Sequence, residues 1–131
     1  MVNTYEAYLN HPSGNVLTLE DAQAIYSKMT DGIQKCQLED KYEFWNDFLK
    51  GAAEYTYIRN KWEFMSREEK YEADHGRTMT HDGFITSVNV LSRIMGKEGV
   101  DNSWRDELGE DRKKIGDFAC FVAYVTGISN R

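Results

Sequence analysis

The chain has 131 residues, 40% of them hydrophobic and 13% aromatic, enough for one domain with a continuous core and too apolar for disorder throughout. Sixteen Lys and Arg against 22 Asp and Glu leave a net charge of -6, which disfavours non-specific binding to a phosphate backbone. No apolar run approaches the roughly 20 residues that span a bilayer, and no basic-then-apolar leader precedes a cleavage site, so the expectation is a soluble, cytoplasmic single helical domain over residues 1–131.

Asn3 or Thr4 is placed to cap a short helix carrying Tyr5, Tyr8 and Leu9, and His-Pro-Ser-Gly-Asn at 11–15 ends it. Thr18 then caps a second helix, with Asp21 in the place of a capping-box acid. Leu19, Ala22, Tyr26, Met29, Ile33 and Cys36 follow at spacings of three and four, a seam suited to an antiparallel neighbour. The short connection 37–40 makes the next helix that neighbour.

The next helix, Leu38 to Met65, holds the densest aromatic and aliphatic pattern and is expected to be the long central element. At helical spacing, Tyr42, Phe44, Trp45, Phe48, Leu49, Ala52, Ala53 and Tyr55 share a buried face, with Glu43, Asn46, Asp47, Lys50 and Glu54 opposite. Beyond Tyr55 the apolar direction drifts toward Ile58, Trp62 and Met65, while Arg59 and Glu63 take the formerly apolar side.

Ser66 and Glu69 form a capping box, starting a turn through Tyr71 and Ala73 that is expected to stop at Gly76. Thr78 to Asp82 restarts a helix with Phe84, Val88, Leu91 and Met95 on one face and Ile85 and Ile94 beside it, ended by Gly96 and Gly99. Ser103 with Asp106 caps a turn carrying Trp104 and Leu108, which Gly109 breaks. The last helix begins near Glu110, with a seam of Ile115, Phe118, Val122 and Val125, widened by Ala119 and Phe121, and stops at Gly127. The fold class is therefore all-α, a compact bundle of about five helices.

One segment concentrates functional side chains between expected helices: Asp74, His75, Arg77, His81 and Asp82. Connections of this kind commonly carry recognition groups. Arg77 offers a planar fork for carboxylate or phosphate, the histidines exchange hydrogen bonds near neutral pH, and a helix start would add free backbone donors. His81-Asp82, with His75 and Asp74 close in sequence, also carries the alternative of an HD-like metal phosphohydrolase, with metal ligands His75, His81 and Asp82. The same residues serve structure if Thr78 or Thr80 caps the helix, Asp82 complements its dipole and Arg77 pairs with an acid.

Trp104 and Arg105 form a second candidate, as an interface anchor or as a core plug. Glu110 with Lys114 and Lys113 with Asp117 have the spacing of solvated helix pairs. Cys36 and Cys120 lack ligand spacing and read as buried reduced thiols. Phosphate-loop, nucleophile-elbow and HExxH patterns are absent, and no cofactor is implied.

The run Trp62 to Lys70, then Arg77-Thr78 with His81-Asp82, and finally Trp104-Arg105 with Leu108 to Ala119, resembles small helical proteins of unknown function from Firmicutes genomes and mobile elements. The resemblance covers about the second half and implies a bacterial cytoplasmic origin. The leading functional reading is a non-enzymatic protein-interaction or regulatory module whose partner is a protein. The metal hydrolase is the alternative, and a helical DNA-binding regulator ranks third because no helix is basic enough to read DNA.

Overall fold

A computed structural model of the chain describes residues 16–62 and 64–127; the expected first helix at 2–10, the loop at 11–15 and the placement of Glu63 lie outside them. The described residues form five α-helices and no strand: α1 Leu19–Lys35, α2 Lys41–Trp62, α3 Arg67–Lys97, α4 Trp104–Leu108 and α5 Arg112–Thr126. The all-α bundle expected from hydrophobic spacing is thus present.

Thr18 caps α1, its hydroxyl accepting from the Asp21 amide at 3.1 Å. The buried stripe is Leu19, Ala22, Ile25, Met29 and Ile33. Tyr26 lies at its edge, with its ring 6.0 Å from that of Trp45 and 6.1 Å from that of Phe121. The backbone of α1 packs mainly on α3, α4 and α5, not side by side with α2. The 37–40 connection explains this: the Glu98 carboxylate at the end of α3 accepts from the Gln37 and Leu38 amides and draws the exit of α1 toward α3.

The second helix is shorter than the expected 38–65. Residues 38–40 form a turn that delivers the chain to Lys41, and Phe64 and Met65 bond back to Lys61 and Trp62 in a tightening turn, because Ser66 must leave helical geometry to cap α3. The buried stripe of α2 is Phe48, Ala52, Ala53, Tyr55, Thr56 and Arg59. It is narrower than the expected half-circumference: Tyr42 is 53% exposed, and Trp45, Phe44 and Leu49 pack only partly against the core.

The capping box at Ser66 is complete, with the Ser66 hydroxyl accepting from the Glu69 amide at 3.1 Å and the Glu69 carboxylate accepting from the Ser66 amide at 2.8 Å. The helix it starts does not stop at Gly76. It runs through 31 residues to Lys97, roughly 46 Å at 1.5 Å per residue. Glycine permits a left-handed stop without requiring one, and Gly76 does not have positive φ.

Ser103 does not cap α4 as expected; its own backbone is helical, and the Asp101 carboxylate accepts from its amide instead. In α5, Asp111 is the N-cap and accepts from the Lys114 amide. Every residue from Ile115 to Ala123 is buried, so this helix is enclosed on all sides and not only along a seam. Val125, expected in that seam, is exposed. Both α3 and α5 pack along α2, and the aromatic centre joins the three: Phe48 stacks on Phe84 at 5.6 Å and tilts against Phe118 at 6.3 Å.

Candidate functional site

The continuity of α3 redistributes the residues that sequence spacing placed on a connection. Asp74, His75, Arg77, His81 and Asp82 all stand on one helix, so no free backbone donors occur at 78–82, and neither Thr78 nor Thr80 is a cap. His75 and Asp82, about two turns apart, share the solvent side. Arg77 and His81, one turn apart, turn inward toward α2 and α5. Arg77 lies over the Trp62 ring at 4.1 Å and reaches Asp74 at 3.5 Å. Among the described residues no three His, Cys, Asp or Glu side chains group so as to hold a metal ion, and a site built on His75, His81 and Asp82 finds no support in this geometry.

His81 is 4% exposed. Its ring meets Tyr55 edge-on at 5.4 Å, and its Nδ1 is 3.7 Å from the Asp82 carboxylate, beyond hydrogen-bond distance. The ring's other polar neighbour is the backbone of Arg112. Burial, followed by the Arg112 charge, pushes its pKa below the usual histidine value.

Trp104 and Arg105 take structural positions. Trp104 is buried, with Nε1 donating to the Met95 sulfur at 3.2 Å. Arg105 ties the α4–α5 turn together, donating to Asn89 at 2.7 Å, to the Gly109 carbonyl at 2.8 Å and to Glu110 at 2.9 Å. Glu110 is thereby paired with Arg105 and not Lys114, whose ammonium bonds the Glu107 carbonyl.

Sequence reasoning missed a buried ionic network. Arg59 donates to the Asp117 carboxylate at 2.6 Å, and the other carboxylate oxygen accepts from the Val16 and Leu17 amides, which anchors the start of the described chain to the middle of α5. Arg59 also reaches the Cys120 sulfur at 3.4 Å. Burial works against the Arg59 charge, but the pairing with Asp117 outweighs it, while burial drives the Cys120 thiol upward and keeps it protonated. The signal was a lone Asp in the apolar run Ile115 to Ala123, which spacing alone paired with Lys113.

A groove of about 530 Å³ runs between α2 and α3. Phe44, Phe84 and Val90 line its apolar part, Asp47, Lys50 and Glu54 its rim on α2, and Met79 stands over it, 60% exposed. Glycines set its shape: a Cβ on Gly51 would sit 3.4 Å from the Phe84 Cα, and one on Gly83 would meet nothing within 4 Å.

No helix among the described residues is long and apolar enough to cross a membrane. Compared with known proteins, the chain matches no family model, no curated protein and no solved structure.

Proposed function

We propose that this chain is a non-enzymatic protein-interaction or regulatory module of a bacterial cytoplasm, and that the α2–α3 groove is its contact surface. The observation that carries the reading is the groove's chemistry: an apolar lining, an exposed methionine that adapts to irregular shapes, and a rim of mixed charge. Such a groove suits the apolar face of a partner helix, with Asp47, Lys50 and Glu54 setting its orientation. Two free, buried cysteines accord with a reducing compartment.

The test places a photoreactive amino acid at Met79 in the native host. A discrete protein is expected to crosslink there, and Met79→Glu, which charges an exposed position, is expected to release that same protein while the melting temperature stays unchanged. If Met79→Glu retains it, or if it crosslinks as readily from exposed Glu72, the groove is not the interface.

A further inference from the structure

Both walls of the α2–α3 groove advance in alternating steps of three and four residues. On α2 the run is Phe44, Asp47, Gly51 and Glu54, and on α3 it is Met79, Gly83, Thr86 and Val90. Each covers about three turns, roughly 16 Å at 1.5 Å per residue. Helices facing one another along a shared seam use this spacing, and here two neighbouring helices turn it outward together. That geometry seats a helix and not an extended strand, whose side chains alternate with a period of two. Near the middle of each wall stands a glycine, and a Cβ on Gly83 would meet nothing within 4 Å, so another backbone can approach closely there.

Charge divides the two walls. The α3 wall is neutral, with the hydroxyls of Thr80, Thr86 and Ser87 among its apolar groups. The α2 wall carries Asp47, Lys50 and Glu54 in the order acid, base, acid, again at steps of three and four. No ion pair among the described residues engages any of the three. A ladder of unpaired charges along one edge of an apolar seam selects a partner by sign, as the flanking positions of paired helices do.

We propose that the groove receives one amphipathic helix of a partner protein, whose apolar stripe lies on Phe44, Phe84, Met79 and Val90. Along the flank facing α2, that helix carries a base, an acid and a base at the same steps, opposite Asp47, Lys50 and Glu54. The inference rests on the groove being the contact surface and adds the chemistry of what fills it. Because the charges lie on the rim, they choose the partner and its register more than they strengthen binding.

The test uses the full chain and a fluorescent synthetic helix of about 20 residues, long enough to hold its shape in water. One peptide pairs a leucine stripe with a Lys-Glu-Lys flank at the ladder spacing, and the other carries Glu-Lys-Glu on the same stripe. At low salt the first is expected to bind about tenfold more tightly, the sum of three rim pairs, and the preference is expected to shrink as salt screens it. The triple variant Asp47→Lys, Lys50→Glu, Glu54→Lys should invert the order. Lys50→Glu alone should move the preference to an all-lysine flank, which keeps the test open if the triple variant folds poorly. The labelled methyl resonance of Met79, assigned by its loss in Met79→Leu, should shift on binding. Equal affinity for both peptides, or an order unchanged by both rim variants, overturns the partner assigned here and leaves the groove reading in place; a Met79 resonance that ignores every peptide removes the groove as well. Undiminished binding of a peptide broken by a central proline would make the occupant an extended segment, and a Met79 resonance that shifts with protein concentration alone would make it a second copy of this chain. Either result overturns the proposal.

Discussion

Asp117 is a carboxylate with 0% exposure inside a helix whose neighbouring residues are all buried, and its partners account for its presence. One oxygen neutralises Arg59 and the other satisfies two backbone amides 100 and 101 positions away in the chain. Removing one partner of a buried ion pair strands the other charge, at a cost of about 3 to 5 kcal/mol. Asp117→Ala is expected to fall in that range by urea denaturation. Arg59→Met should cost less, because Asp117 keeps its two amide donors; equal midpoints for the two variants would show that those amides contribute nothing. His81 gives a second prediction at this scale. Burial and Arg112 make the folded imidazole harder to protonate than the unfolded one. Below about pH 6.5, the ordinary histidine value, the unfolded chain therefore takes up a proton that the fold refuses, and stability falls with pH until the folded group itself titrates. Melting temperatures taken downward from neutral pH should fall more steeply for the native chain than for His81→Leu.

At the scale of the element, helix starts were more legible than helix ends. The caps at Thr18 and Ser66 rest on side chains a few residues from the groups they satisfy, so local sequence determines them, whereas Ser103 lost its role to Asp101. Gly76 was read as a stop because glycine often occupies the left-handed end of a helix. What continues α3 through it is tertiary: Arg77 lies on Trp62 of α2, and Phe84, Val88 and Leu91 beyond it are buried in the core. Gly99, Gly109 and Gly127 do have positive φ, at 69, 75 and 72 degrees. The difference predicts opposite signs. Gly76→Ala has open space for its Cβ and should stabilise the fold by about 0.5 to 1 kcal/mol, while Gly127→Ala should destabilise it. Chemical denaturation of both reads the sign directly, and a destabilised Gly76→Ala would mean that α3 breaks there after all.

Across the whole molecule, the periodicity that revealed an all-α bundle could not say how its helices meet, since every helix carries an apolar stripe and many pairings bury one. The junction of Tyr55, His81 and Arg112 brings together residues from three helices, and no local spacing encodes that convergence; Arg77 and His81 were legible as candidates, but on a connection that does not exist. The aromatic centre poses the same problem with a measurable answer. Sequence spacing placed Trp45 and Phe48 on one buried face of α2, yet packing against α3 and α5 encloses Phe48 completely and leaves Trp45 at the margin. Phe48 touches the Phe84 ring of α3, the Phe118 ring of α5 and Trp45 on its own helix, so truncating it opens a cavity that three elements would have to close together. Phe48→Ala is therefore expected to cost about 3 to 5 kcal/mol, and Trp45→Ala, whose site already borders solvent, distinctly less. Asp47→Ala, on the exposed rim between them, should stay within about 0.5 kcal/mol of the native chain. Urea midpoints for the three variants order the positions by enclosure, and a Trp45→Ala loss exceeding that of Phe48→Ala would place the centre of the core on the α1 side of α2.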